Sequence, residues 1–299
     1  MLWRFADLAV ASDVRFPGLP SAAGAAAVDV RRAPVAGEAW SPVQTWTGEA
    51  GEDWATIERG AGGYRIRFAE LTSVIAADGS AIAYDPDPGT SEAAIVHLLL
   101  HQVLPLAVSR RGRMVVHACA VSTLDGVVAF VGGSGAGKST LAAACCARGA
   151  LLVADDALVV EFTADAADAW PTADGLRLWD DMAMSMPDRA PSPEPAGGKR
   201  RIAAPLASDR APLRRLVLVG DTSDRDATVD NVTAAEARVA LLPHLFRLDV
   251  ADKDESRRLF DDVHRLAARV PMRRLAFPDG LAHLEPAVDA VFGDLRTSR

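Results

Sequence analysis

Nine consecutive residues constrain this chain more than any other feature: Gly132-Gly133-Ser134-Gly135-Ala136-Gly137-Lys138-Ser139-Thr140. An apolar run, Val127-Val128-Ala129-Phe130-Val131, precedes them, and residues with helical spacing follow to about Arg148. Glycine, four residues, then Gly-Lys-Ser is the phosphate-loop pattern, which carries meaning only between a strand and a helix. Both flanks are present. The glycines leave room for successive backbone N–H groups to turn inward around phosphate oxygens. The helix adds its own unpaired N–H groups and the positive end of its dipole. Lys138 is placed to reach the β- and γ-phosphates, and Ser139 to give its hydroxyl to Mg²⁺. The segment from Gly132 to Thr140 is therefore read as a triphosphate-binding loop.

Lysine usage supports this. Of 32 basic residues only Lys138, Lys199 and Lys253 are lysines. A chain that uses arginine almost everywhere has placed a compact ammonium, rather than a planar fork, in the loop.

Phosphoryl transfer also needs a carboxylate for the metal and a group that orients or deprotonates the attacking hydroxyl. Three acidic pairs compete: Asp155-Asp156, Asp180-Asp181 and Asp261-Asp262. The last falls mid-helix and is expected on a solvated face. Asp180-Asp181 follows a plausible strand, Leu176-Arg177-Leu178-Trp179. Asp155-Asp156 ends the strand directly after the phosphate-loop helix, so its carboxylates can emerge beside the loop and divide the work between metal and hydroxyl. His117 lies in an apolar stretch, Val115-Val116-His117-Ala118-Cys119, where a histidine is ordinarily a core residue.

Elsewhere the chain divides at Asp85-Pro86-Asp87-Pro88-Gly89. Residues 1–89 read as a β-rich region, with alternation at 64–68, 73–76 and 81–84 and a turn at Asp78-Gly79. Between 18 and 61 the periodicity is weak and suggests loops on a small sheet. Residues 90–299 read as one domain of alternating strands and helices. Ser91 caps a helix carrying Ile95, Leu98, Leu99 and Val103 and bent by Pro105. A strand is expected at 115–119, others at 151–154, 158–162, 216–219 and 272–277, and helices near 234–246, 254–268 and 284–295. Residues 190–204, with Lys199-Arg200-Arg201, read as a mobile loop that can close over the γ-phosphate or hold an acceptor's charge.

Composition excludes some classes. The net charge of −8 argues against a general nucleic-acid binder. Cys119, Cys145 and Cys146 form no disulfide framework, and a reducing cytoplasm suits them; Cys145 and Cys146 are expected in the core. The apolar stretch at 93–108 is interrupted by His97, His101 and Pro105 and is short of the roughly 20 residues that cross a bilayer. With no signal-like start, the chain is expected to be soluble, with no membrane partner. His97 and His101 stand four apart but lack a third ligand, so they make a poor metal site.

The block His117-Ala118-Cys119-Ala120-Val121-Ser122, the strand at 126–131, the phosphate loop and Gly149-Ala150-Leu151-Leu152-Val153-Ala154-Asp155-Asp156 together resemble the catalytic core of bacterial HPr kinase/phosphorylase. Order and spacing match over about forty residues. The resemblance implies an α/β fold with a P-loop-containing HPr kinase/phosphoenolpyruvate carboxykinase-like core, behind the small β-rich N-terminal region. It implies ATP and Mg²⁺ as cofactors, transfer to a serine of a protein or peptide, Asp156 as base, Asp155 with Ser139 near the metal, and His117 in the active site beside the acid. Weaker similarity continues through Leu176-Arg177-Leu178-Trp179 and the helical C-terminal third. The chain departs from the family at Thr140, where relatives carry Glu, in lacking a recognisable regulatory domain over 1–89, and in lacking the Arg/Gly-rich phosphorolysis signature. The opening Ala11-Ser12-Asp13-Val14-Arg15-Phe16-Pro17-Gly18-Leu19-Pro20 is similar to shorter, divergent HPr-kinase-like proteins, some linked to peptide-maturation clusters. An ATP-dependent serine kinase is the leading expectation. A kinase of a small hydroxylated metabolite and a nucleotide-binding regulator without transfer stay open, as do the acceptor, reversal by phosphorolysis and assembly into homo-oligomers.

Overall fold

Alternating burial builds the first sheet. In a computed structural model describing residues 1–35, 39–47, 51, 53–179, 199–224 and 226–297, strands β1 (Leu2–Phe5), β2 (Leu8–Ser12), β3 (Val28–Arg32), β4 (Ser41–Thr47), β5 (Asp53–Arg59), β6 (Gly63–Phe68), β7 (Leu71–Ala76) and β8 (Ala81–Pro86) form one eight-stranded sheet in the order β1-β2-β3-β8-β7-β6-β5-β4. Leu71, Ser73 and Ile75 of β7 are buried while their neighbours are partly exposed, as a sheet with one covered face requires. The stretch 18–61, where loops were expected, holds β3, β4 and β5. Its many Ala, Gly and Pro residues hide a pattern that becomes visible only once Val28, Val30, Ala55 and Ile57 are seen to be buried together.

The expected turn is present: Gly79 has φ +72° and Ser80 N donates to Asp78 Oδ1 at 2.9 Å. A Cβ on Gly79 would lie 2.2 Å from Ala107 O, so the turn is tucked against helix backbone. That helix is α1 (Glu92–Leu98), a π-helical turn at Leu99–Val103, and α2 (Leu104–Arg110). Ser91 caps it, accepting from Ala94 N. The irregularity precedes Pro105: widening the turn absorbs the bond that proline cannot donate. Glu92–Arg110 is long and apolar enough to cross a bilayer by length and composition alone, but 61% of its apolar window is buried within the protein.

By contacts, Met1–Val115 with Phe246–Leu259 form one compact unit, and Val116–Leu245 with Phe260–Arg299 another. This partition differs in kind from the compositional division at 89/90. Strand β9 (Met114–Val116) carries the chain from the first unit to the second. The strand expected over 115–119 is broken at His117, whose N–H donates to His244 O at 2.6 Å as part of an antiparallel bridge between Val116 and Leu245.

The second unit contains β10 (Ala118–Thr123), β11 (Gly126–Val131), α3 (Lys138–Ala147), β12 (Leu151–Ala154), β13 (Leu158–Phe162), β14 (Ala167–Trp170), β15 (Leu176–Trp179), β16 (Lys199–Ile202), β17 (Ala211–Thr222), β18 (Thr228–Val232), α4 (Ala234–Leu241), most of α5 (Lys253–Arg269), β19 (Met272–Phe277) and α6 (Leu284–Thr297). Its main sheet runs β12-β10-β11-β17-β14-β13, with β19 also beside β17 and β18 beside β19. The fold is mixed α/β. Strand β11 lies antiparallel to β10 and parallel to β17, and β17 is parallel to β19. Apolar residues of α3, Leu141 and Cys145 among them, share a core with Phe130, Val217, Leu275, Val288 and Val291.

Two further expectations are corrected. Lys199, Arg200 and Arg201 stand in β16, paired with β15, because Leu176, Leu178 and Ile202 gain burial that a loop would forgo. Asp262 is 7% exposed, held by Arg265, while its neighbour Asp261 is exposed; a helix turns adjacent residues about 100° apart, so they cannot share a face. Asp180, Asp181 and residues 190–198 lie outside the described residues.

Candidate functional site

The loop after β11 is shaped by steric demand. A Cβ on Gly132 would sit 2.2 Å from Val219 O, so the loop leaves the sheet against the neighbouring strand's backbone and only glycine fits. Gly135 and Gly137 have φ of 75° and 90°, a left-handed region glycine enters freely. Gly137 is the N-cap of α3 and offers no side-chain acceptor. The N-cap thus leaves the first N–H groups of α3 without a capping side chain among the described residues. Gly133, Ser134 and Gly135 are exposed; Ala136, Ser139 and Thr140 are half-buried.

Lys138 is 7% exposed, and its ammonium donates to Gly132 O at 2.9 Å and Gly133 O at 2.7 Å. Those carbonyls draw the charge back into the curve of the loop. Burial lowers its pKa, and Asp156 opposes that shift. Ser139 Oγ donates to Asp155 Oδ1 at 2.8 Å, which joins the first turn of α3 to the end of β12.

Asp155 is 2% exposed. Its Oδ2 accepts from Arg177 N at 2.6 Å, and the buried Cys119 thiol also bonds to it. Burial first, and then the charge of Asp156, raise its pKa to about 7, against the bonds from Ser139 and Arg177 N and the charge of Lys199. Asp156 is half-buried and has φ 76°, an uncommon conformation outside glycine that persists only where surrounding structure imposes it. Adjacent at a strand end, the two carboxylates have different surroundings: one enclosed, one partly open.

His117 is also here. Burial lowers its pKa to about 4; Asp156 acts to raise it, while Lys138, His244 and Lys199 act to lower it. It is a neutral imidazole near neutral pH. Lys138, Ser139, Asp155, Asp156 and His117 are thus brought together.

Among the described residues no group of three or more His, Cys, Asp or Glu is placed to hold a metal ion. The His97 and His101 rings lie 5.4 Å apart with no third ligand. Cys145 and Cys146 are buried in the core, as expected.

No family model matches this sequence, and no curated protein matches it. Among solved structures, the chain is similar to the HPr(Ser) kinase/phosphatase from Coxiella burnetii. Identity is 11% and the TM-score 0.34, over 62% of this chain and 92% of that one. A likeness of that size leaves the chemistry to be argued from side chains.

Three neighbours of the site escaped sequence reasoning. Arg177 is 5% exposed, and its charge acts on Asp156, Asp155 and Asp174. His244, at the end of a 3-10 turn (Leu242–His244), reaches the site through His117 N and the field of Lys138. Cys119 lies beneath Asp155. Arg177 and Cys119 sit inside apolar strands, where the pattern signals only core, and His244 carries no local signal at all.

Proposed function

We propose that this protein is an ATP-dependent kinase that transfers the γ-phosphate to a serine hydroxyl of a protein or peptide. The observation that carries the reading is the unequal Asp155-Asp156 pair beside Lys138. Both Asp155 oxygens are engaged, by Ser139 Oγ and Arg177 N, so this residue cannot turn to an incoming hydroxyl. Asp156 is the more open and is held in a strained backbone conformation. It is the group that takes the hydroxyl proton as the serine oxygen bonds to the γ-phosphorus and ADP departs.

Lys138 and the first N–H groups of α3 offset the charge of the transferring group. His117, neutral and in the field of Asp156, helps to set the charge state of that acid. Ser139 Oγ and Asp155 Oδ1, both hard oxygen donors 2.8 Å apart, suit Mg²⁺, which keeps several waters and needs few protein ligands. Mg²⁺ held by Ser139 and Asp155 would neutralise charge on the transferring phosphate and would favour the ionised form of Asp155. The resemblance of residues 117–156 to HPr kinase/phosphorylases points the same way. The unbridged cysteines fit a reducing cytoplasm.

Incubation of the chain with γ-labelled ATP and cell extract tests the reading. Label should appear on serine of a polypeptide; Lys138→Ala should abolish it, and Asp156→Asn should bind ATP without transferring. Label on small molecules would favour a metabolite kinase. ATP binding with no transfer to any acceptor would favour a regulator, and transfer by the Asp156 variant would remove it as the base.

A further inference from the structure

The hairpin of β15 and β16 presents a face that the proposed reaction has not used. Leu176, Leu178 and Ile202 pack into the core with α3. Strand alternation puts Arg177 and Trp179 on the other face, where their register partners are Arg201 and Lys199. The hairpin is tied to the site by Arg177 N, which donates to Asp155 Oδ2 at 2.6 Å, and Arg201 Nε donates to Asp174 Oδ2 at 3.1 Å. Arg177, Arg201, Lys199 and Trp179 thus share one face of a hairpin whose backbone is bonded to Asp155.

Lys199 differs from the two arginines. Arg201 is paired with Asp174, and the buried Arg177 lies in the field of Asp156, Asp155 and Asp174. The Lys199 ammonium lies 5.3 Å from the Trp179 ring centroid, and among the described residues it joins no ion pair. Trp179 is 47% exposed and Lys199 half-buried, so this pair reaches solvent where β15 ends and β16 begins. The field of Lys199 reaches Lys138, Asp155 and His117 alike. A cation resting on a ring is held weakly compared with one hydrogen-bonded to an anion. An ammonium on a flexible stem can leave the ring for a phosphate oxygen while its strand stays in place. With only three lysines among 32 basic residues, the occurrence of two at one site is itself a chemical choice.

We propose that Lys199 is a second cation of this site, engaging the terminal phosphate of a nucleoside triphosphate from the β15–β16 hairpin while Lys138 engages it from the glycine loop. The proposal rests on the nucleotide reading above and adds a specificity determinant to it. Lys199 senses the γ-phosphate, and therefore distinguishes triphosphate from diphosphate.

Calorimetric titration of the full chain with Mg²⁺ and either ADP or a non-hydrolysable ATP analogue tests it. Lys199→Met should weaken the analogue about tenfold, the equivalent of one lost charge-assisted contact, and leave ADP within about twofold. Lys138→Met should weaken both. Lys199→Arg, which keeps charge and hairpin, should retain a preference for the analogue, and this keeps the test decisive if Lys199→Met does not fold. Analogue affinity unchanged in Lys199→Met, equal losses for both nucleotides, or no preference in Lys199→Arg overturns the proposal. Binding of neither nucleotide by the unaltered chain overturns the nucleotide reading itself, which is a separate failure.

Discussion

Asp155 and His117 are held away from their ordinary protonation behaviour by the same cause, burial, acting with opposite sign on an acid and a base. Asp155 goes from 3.8 to about 7, facing Asp156, Ser139, Arg177 N and Lys199. Folding takes up a proton there, so its contribution to stability falls as pH rises from about 4 to about 7. His117 goes from 6.5 to about 4, facing Asp156, Lys138, His244 and Lys199. Here the unfolded chain holds the extra proton, so its contribution rises with pH between about 4 and 6.5. In the chain free of metal and nucleotide the two slopes oppose each other across that window. His117→Gln removes one of them. Denaturant unfolding in EDTA from pH 4.5 to 6.5 should show this variant losing stability relative to the parent as pH rises. A constant difference between the two would mean that His117 is not held neutral by folding.

At the scale of elements, the glycine loop makes a sharp contrast between neighbours. A Cβ at position 132 would meet Val219 O at 2.2 Å, whereas one at 133 would meet nothing within 4 Å. Gly132→Ala must push loop and β17 apart and should destabilise the protein by roughly 1–3 kcal/mol, the usual range for overpacking. Gly133→Ala should stay within about 0.5 kcal/mol, as surface changes do. Urea unfolding of the two variants decides it, and equal losses would mean that Gly132 does not approach the β17 backbone closely. Elements themselves were legible where side-chain period was strong, as in β6, β7, α3 and β19. The β15–β16 pair was not, because Lys199-Arg200-Arg201 reads as solvated until Ile202 is seen against Leu176. Nor was the break at His117, since its cause, the His244 carbonyl, lies far along the chain.

At the scale of the whole molecule, the second unit is closed by charges as well as by its core. Arg215 of β17 is 3% exposed and meets Asp294 of α6 at 3.1 Å; Arg273 of β19 meets the same carboxylate at 3.0 Å. One aspartate on the last helix thus neutralises two strands that run side by side. Burial lowers the pKa of Arg215, against the field of Asp294. Asp294→Ala leaves a buried guanidinium without its partner and should cost about 3–5 kcal/mol. Arg215→Leu combined with Asp294→Leu should recover only part of that loss, because the charge of Arg273 still loses its partner. Equilibrium unfolding reads both, and a loss under about 1 kcal/mol in Asp294→Ala would show the helix to be held by its apolar face alone.

The order strand, glycine loop, helix, strand, acidic pair was determined by sequence alone, because each part is local. Glycine, lysine and serine spacing, the apolar runs of β11 and β12, and two aspartates at a strand end all lie within 31 consecutive residues, 126–156. Tertiary structure decided what those parts do for one another. It made Asp155 the enclosed partner of Ser139, 16 residues away, and of Arg177 N, 22 residues away. It left Asp156 as the open one, and it brought His117, His244 and Lys199 to the same place. The physical reason is one of range. Backbone preference and side-chain period act over a few residues, whereas burial, register and charge neutralisation are settled only when distant strands meet.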